Sequence, residues 1–204
     1  VYILKQMEEF SLFDHCVMLS YNDDVRERCL SFSCGDADLD AFFHNDAERY
    51  AEELMGKTYC WVTEEKPHRI VALFTLANDS IKTVHLDKST RNRLNRPIDN
   101  PKRGRSYPAT LIGRIGVNQE FQNMNIGSQL MQFIKDWFRY EDNKTGCRFL
   151  VVDAYNNPRT LRFYERNNFR FLHTDEAEEC AYYQISPDET IATRLMYFDL
   201  KKKD

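Results

Sequence analysis

The sequence of 204 residues lacks several patterns that would assign it to a specialised class. Its six cysteines form no CxxC pair and no zinc-type spacing, and its five histidines form no metal constellation, so neither a disulfide scaffold nor a metal site is expected. It has no signal peptide and no apolar run long enough to span a membrane, which predicts a cytoplasmic protein without a membrane partner. No internal repeat is present. We therefore expect residues 1–204 to form a single domain.

The chain is acidic overall but contains one basic segment. The formal net charge of −4 argues against a surface that binds nucleic acid throughout. Between residues 82 and 105, however, only Asp87 and Asp99 oppose eight basic residues, which are Lys82, Lys88, Arg91, Arg93, Arg96, Lys102, Arg103 and Arg105. A solvated basic loop over residues 84–106 is the ordinary interpretation of such a run, and contact with phosphates is the alternative.

Residues 111–131 read as a strand, a polar loop and an amphipathic helix in immediate succession. The strand is aliphatic up to Val117, and after Ser128 apolar residues recur at helical spacing from Leu130 onward. The first N–H groups of a helix have no partner within the helix, and the helix dipole is positive at that end. The loop can therefore bind a phosphate or pyrophosphate through main chain alone.

A second strand, turn and helix follow. Residues 147–154 form a buried-type strand, Pro158 stands at the first position of a helix, and Asn168 suits a left-handed cap at its end. Asn157 and Tyr164 are seven residues apart, which puts them on one helical face about 10 Å apart along the axis, where both can face one elongated ligand. Asn157 as a simple N-cap and Tyr164 as a core aromatic are the structural alternatives.

The rest of the chain completes a mixed sheet. An amphipathic helix is predicted to begin at residues 33–36 and to stop at Gly56, with Leu54 on its apolar stripe. Strands at 58–63 and 69–77 form a hairpin, and terminal strands lie near 169–173 and 193–200. The N-terminal segment 1–31 is of uncertain structure. The order of elements predicts an α/β (α+β) fold with a mixed, mostly antiparallel central sheet and helices on both faces.

Two of these segments resemble the signatures of the GCN5-related N-acetyltransferases (GNAT family). Residues 122–127, Gln-Asn-Met-Asn-Ile-Gly, are similar to the acetyl-CoA pyrophosphate loop, whose usual pattern is Gln or Arg, two residues, Gly, one residue, Gly or Ala. Asn125 stands where the first glycine is expected and Asn123 where a further glycine is common. Asparagine is the non-glycine residue that best tolerates positive φ, so the turn can form. The helix with Phe163-Tyr164, followed by Asn168 in place of Gly, is similar to the second signature.

The resemblance implies a GNAT-like fold and transfer of an acetyl group from acetyl-CoA, without a metal, to a primary amine of a small molecule or protein. It implies that Tyr164 is the catalytic acid that protonates the departing thiolate. The implied cofactor-binding residues are Ile115, Gly116, Val117, Gln122, Asn123, Met124, Asn125, Ile126, Gly127, Ser128 and Asn157. No general base is evident, and Asp153 and Asp79 are candidates by strand position only.

A finer resemblance points to a different acceptor. The sequences Phe32-Ser-Cys-Gly35 and Leu39-Asp-Ala-Phe42, together with the basic segment, are similar to GNAT toxins that acetylate the amino group of aminoacyl-tRNA. This alternative implies tRNA and an antitoxin as partners. A CoA-binding module without turnover is the alternative of another class, and a homodimer is a further expected assembly. The identity of the amine stays open.

Overall fold

The computed structural model of the chain describes residues 10–99, 106–141, 146–186 and 189–202. Within these ranges the strands are β1 (Cys16–Ser20), β2 (Lys57–Thr63), β3 (Ile70–Lys82), β4 (Ser106–Val117), β5 (Phe149–Tyr155), β6 (Arg170–Phe171) and β7 (Thr193–Asp199). The α-helices are α1 (Leu12–His15), α2 (Asp23–Arg28), α3 (Ala37–Ala41), α4 (Ala47–Glu52), α5 (Lys88–Asn95), α6 (Ile126–Arg139), α7 (Pro158–Arg166) and α8 (Glu176–Tyr183). Short 3-10 turns lie at Thr83–His85 and Gln119–Phe121.

The strands form one mixed sheet in the order β1-β2-β3-β4-β5-β7-β6. β1 pairs with β2, β5 with β7 and β6 with β7, in each case antiparallel, whereas β4 and β5 run parallel with Ala109 opposite Phe149. The predicted α/β class with a mostly antiparallel sheet is therefore confirmed.

The chain divides into two compact units. The first unit comprises Val1–Thr75 and Arg114–Phe133, and the second comprises Leu76–Gly113 and Ile134–Asp204. The core of the first unit includes Phe32, Phe43 and Val62. The core of the second unit includes Phe149 and Tyr197, whose rings meet edge to face with centroids 5.8 Å apart. A single domain over residues 1–204 stays a prediction.

The helical segment that follows Asp36 begins as predicted and ends differently. The Asp36 carboxylate accepts hydrogen bonds from the backbone N–H groups of Asp38 and Leu39, which is the expected N-cap. α3 continues through a π-helical turn at Phe42–Asp46 into α4, so the segment ends at residue 52. Leu54, at φ 58°, then takes the left-handed conformation, two residues before the stop that is predicted at Gly56, and it is 87% exposed. The prediction that Leu54 lies on the apolar stripe is wrong because the helix has already ended.

The basic segment contains a helix where the sequence predicts a loop. The Asp87 carboxylate caps α5 by accepting hydrogen bonds from the N–H groups of Ser89 and Thr90. Leu94 is buried in the core of the second unit and fixes the helix there. Residues 100–105, which include three of the eight basic residues of the segment, lie outside the described part of the chain. Across the described ranges, none of the helices combines the length and apolar character needed to cross a bilayer.

Candidate active site

Asn118 anchors the polar loop at the end of β4. Its backbone N–H donates to the Val71 carbonyl over 2.9 Å, and its side-chain amide donates to the Ile70 carbonyl over 3.0 Å. Its side-chain oxygen accepts from the N–H of Glu120 and caps the short turn that follows. Asn118 is buried, so each of these bonds satisfies a polar group that water cannot reach. The first residue after β4 is thus held by β3.

The loop takes its shape from two asparagines in the left-handed region. Asn123 has φ 65° and Asn125 has φ 58°, which are the conformations that the missing glycines would supply. The Gln122 amide nitrogen donates to the carbonyls of Val117 over 3.0 Å and Cys34 over 2.8 Å. Gln122 therefore fixes the loop through its side chain, and its backbone N–H is bonded to the Gln119 carbonyl. Binding of a ligand by Gln122 stays a prediction.

Among the residues that the structure describes, no hydrogen bond of ordinary geometry is found for six consecutive backbone N–H groups, those of residues 123–128, although residues 122–125 form a turn. The last bond before them joins the Gln122 N–H to the Gln119 carbonyl, and the first after them joins the Gln129 N–H to the Asn125 carbonyl. They lie at the positive end of the 14-residue helix α6. Donors at that end can bind an anion, and a pyrophosphate has the charge and the oxygen atoms for such binding.

Ile115, Gly116 and Val117 form the end of β4 next to this loop. A Cβ atom on Gly116 would lie 3.2 Å from the Cys34 Cβ and 3.3 Å from the Cys34 Sγ, so glycine allows the strand to approach residue 34 closely. Burial raises the pKa of the Cys34 thiol to about 11. The thiol is therefore protonated at neutral pH and a weak nucleophile.

Tyr164 lies on α7 in the second unit and is 5% exposed. Its ring meets those of Phe163 and Phe169, with centroids 5.1 Å and 5.5 Å away. Burial raises the pKa of the tyrosine well above its ordinary value, so the hydroxyl keeps its proton. Within the described ranges this hydroxyl forms no hydrogen bond, in contrast to that of Tyr21, which donates to the Phe43 carbonyl. The packing is that of a core aromatic, and the hydroxyl is available to a ligand.

Asn157 and Asn168 bracket α7. The Asn157 side-chain oxygen accepts from the Thr160 N–H over 2.9 Å, so the capping interpretation is correct and the side-chain NH2 group remains as a donor. Asn168 has φ 63° and closes the helix in the left-handed conformation that the sequence predicts. Binding of a ligand by Asn157 stays a prediction.

The carboxyl of Asp153, a candidate general base on β5, has a raised pKa. The residue is exposed to solvent. Partial burial of its carboxyl raises the pKa, and the negative charges of Asp79 and Glu179 raise it further. Burial raises the pKa of the Tyr183 hydroxyl as well, and the negative charges of Asp153, Glu179 and Asp79 raise it further. A carboxylate with a raised pKa is a stronger base than an ordinary aspartate at neutral pH.

The described cations of the basic segment do not share one role. Arg93 donates to the Leu172 carbonyl over 2.5 Å and so fastens α5 to the residue that follows β6. Lys82, Lys88 and Arg96 are exposed and Arg91 is half-buried, which leaves their charges at the surface. The Arg114 guanidinium, on β4 in the first unit, instead lies 3.7 Å from the centre of the Phe42 ring.

Residues 32–35 and 39–42 are singled out in the sequence only by their resemblance to GNAT toxins, and the sequence does not predict that they support the polar loop. The Gln119 N–H donates to the Ser33 carbonyl, and the Gln122 side chain donates to the Cys34 carbonyl, across up to 88 residues of chain. Asp40 in turn binds Ser33 and Cys34. The bonds to the loop use main-chain carbonyls, which every residue carries, so no residue-type signal could have revealed them.

The chain is similar to known proteins in sequence and in fold. A family model described as an acetyltransferase (GNAT) domain matches residues 56–171, which is more than half of the chain. The structure of AtaT complexed with acetyl-methionyl-tRNAfMet aligns with a TM-score of 0.66 at 15% sequence identity, covering 91% of this chain and 95% of that one. A Tyr-to-Phe mutant of KacT aligns with a TM-score of 0.64 at 16% identity, covering 92% and 96%.

A third solved structure is a Tyr-to-Phe mutant of the toxin AtaT bound to the C-terminus of the antitoxin AtaR and acetyl-CoA. It aligns with a TM-score of 0.59 at 15% identity and covers 92% of this chain and 95% of that one. At such identities these structural matches show a shared fold.

Proposed function

Because the chain belongs to the acetyltransferase (GNAT) family and is an acetyl-CoA-dependent acyltransferase, we propose that it transfers the acetyl group of acetyl-CoA to a primary amine. The observation that carries the proposal is the row of six unpaired N–H groups at residues 123–128, which suits the pyrophosphate of acetyl-CoA. Family membership favours turnover over a CoA-binding module without activity.

The reaction follows from the chemistry of a thioester. The neutral amine attacks the acetyl carbonyl carbon, the carbon–sulfur bond breaks, and the CoA thiolate leaves. Main-chain N–H groups at Ile115–Val117 would bind the carbonyl oxygen as it gains negative charge. Tyr164 would give its proton to the thiolate, and Asp153 or water would take the proton that the amine loses.

The transfer is direct in this scheme. An acetyl-enzyme intermediate would need a nucleophile near the thioester, and Cys34 is the thiol that packs against Gly116. Its raised pKa leaves too little thiolate for that role at neutral pH. In this proposal the acceptor amine attacks acetyl-CoA directly, and no acetyl-enzyme intermediate forms.

We favour the amino group of an aminoacyl-tRNA as the acceptor. Three cations at or next to α5, Lys88, Arg91 and Arg96, are free of the anchoring role of Arg93 and could meet phosphates. AtaT, which shares the fold, is seen with acetyl-methionyl-tRNAfMet and, as a mutant, with an antitoxin. An antitoxin partner belongs to the same proposal, and a small-molecule or protein amine is the alternative.

The central test is CoA binding by a loop variant. Gly127→Glu places a side chain and a negative charge where the backbone must approach the pyrophosphate, and we expect at least a hundredfold loss of CoA affinity in titration calorimetry. Gly146→Glu is the matched control, because a Cβ there meets no atom within 4 Å. CoA binding by Gly127→Glu equal to that of the parent would contradict the assignment of the loop.

A further inference from the structure

We propose that residues 33–35 together with Asp40, here called the latch, set the pyrophosphate affinity of the polar loop although they do not touch the ligand. The inference rests on the proposed function, since it assumes that the loop binds acetyl-CoA. It assigns Asp40 as a positioning residue.

Asp40 organises the latch. Its Oδ2 accepts a hydrogen bond from the Ser33 hydroxyl over 2.7 Å, and its Oδ1 accepts from the Cys34 N–H over 2.8 Å. The Ser33 hydroxyl oxygen also accepts from the Gly35 N–H over 3.2 Å. One carboxylate on α3 thus fixes three successive residues of a turn that has no regular secondary structure of its own.

The latch then holds the loop through two carbonyls. The Ser33 carbonyl accepts from the Gln119 N–H over 2.9 Å, and the Cys34 carbonyl accepts from the Gln122 side chain over 2.8 Å. These two bonds fix both ends of the turn that precedes the six unpaired N–H groups. Movement of the latch would move those donors away from the oxygen atoms of a bound pyrophosphate.

Steric contacts make the arrangement specific. Gly35 has φ 83°, and a Cβ there would lie 2.6 Å from the Gln119 side-chain nitrogen. On the other side, the Cys34 side chain packs against Gly116. The latch therefore contacts both the loop and the strand end of the candidate site, and glycine at 35 and 116 leaves room for this packing.

The hydrogen bonds to Asp40 are charge-assisted at neutral pH. Burial raises the pKa of its carboxyl, but the bonds from Ser33, Cys34 and Gly35 outweigh burial, so the net pKa lies below the ordinary value. Bonds to an ionised carboxylate are stronger than bonds between neutral groups. Removal of the carboxylate should therefore release the turn.

The test compares two probes that differ in the pyrophosphate. CoA carries it and pantetheine, the arm alone, does not. We expect Asp40→Ala to bind CoA at least tenfold more weakly than the parent and pantetheine within twofold of the parent, by titration calorimetry at neutral pH. Asp40→Asn keeps one acceptor oxygen, so its affinity for CoA should lie between those of the parent and Asp40→Ala. Asp38→Ala, at an exposed carboxylate on the same helix, should match the parent.

Ser33→Ala is a milder second variant in case Asp40→Ala fails to fold. We expect its affinity for CoA to fall threefold or more and its affinity for pantetheine to stay the same. Equal losses for CoA and pantetheine would mean that the latch supports the fold generally, and would overturn the proposal. CoA affinity of Asp40→Ala and Ser33→Ala equal to that of the parent would overturn it as well. A parent that binds CoA no better than pantetheine would instead contradict the proposed function of the loop.

Discussion

Tyr164 packs as a core aromatic, and we propose that its hydroxyl is also the catalytic acid. Its ring lies against two phenylalanines, whereas its hydroxyl forms no hydrogen bond within the part of the chain that the structure describes. Tyr164→Phe removes only that oxygen, so we expect the fold to survive and kcat to fall by about 10²–10⁴-fold, as is typical for loss of an acid or base, with little change in the KM for acetyl-CoA. The measurement is steady-state kinetics on an identified acceptor.

Tyr197→Phe is a suitable control for this variant, since it removes a hydroxyl from another buried tyrosine of the same unit. Unchanged turnover in Tyr164→Phe would exclude Tyr164 as the acid. The raised pKa also fixes the sign of the pH dependence. Because the hydroxyl stays protonated well above neutrality, any loss of activity below neutral pH should come from protonation of the acceptor amine or of Asp153.

At the scale of elements, the loop between β4 and α6 depends on left-handed asparagines. Asn125→Gly keeps the conformation at φ 58° without a side chain, so we expect CoA affinity equal to or tighter than that of the parent. Asn125→Val puts a β-branched residue in a conformation that it strongly disfavours and should weaken binding. Titration calorimetry with CoA checks both variants. A tenfold loss in Asn125→Gly would contradict the loop assignment.

Some elements are predictable from sequence and others are not. Asparagine at 123, 125 and 168 predicts left-handed backbone, because few other residues adopt it at small cost, and all three φ values are positive. Strand β4 and helix α6 follow from apolar periodicity. α5 is missed because Leu94 is its one buried apolar residue and because its capping signal at Asp87 is a single residue among many polar ones. The latch is missed because its bonds depend on tertiary structure.

At the scale of the whole molecule, charge separates the two acceptor hypotheses. The net charge of −4 opposes nucleic acid at long range, so tRNA binding would depend on the cations of α5 and its flank. We expect Lys88→Gln, Arg91→Gln and Arg96→Gln together to weaken tRNA binding and to flatten its salt dependence, by up to about 0.9 in the logarithmic slope for each phosphate that is no longer neutralised. CoA affinity should not change, because the loop uses main chain.

The measurement is tRNA affinity at several salt concentrations. Arg93 is left in place because it holds α5 to the Leu172 carbonyl. A control variant with Lys57→Gln, Lys66→Gln and Lys201→Gln removes three exposed cations elsewhere and should leave the slope unchanged. If the parent binds no tRNA at low salt, a small-molecule or protein amine becomes the favoured acceptor.

The six unpaired N–H groups have a consequence for the history of such sequences. A site built from main-chain donors constrains the backbone conformation at each position but leaves most side chains free to drift. Met124, which is exposed between the two left-handed asparagines, illustrates a position where many residues would serve. Asparagine can replace glycine, so the sequence motif can be lost while a loop that binds an anion is kept. Descendants of one ancestral loop can therefore become unrecognisable to a pattern search long before they lose their ligand.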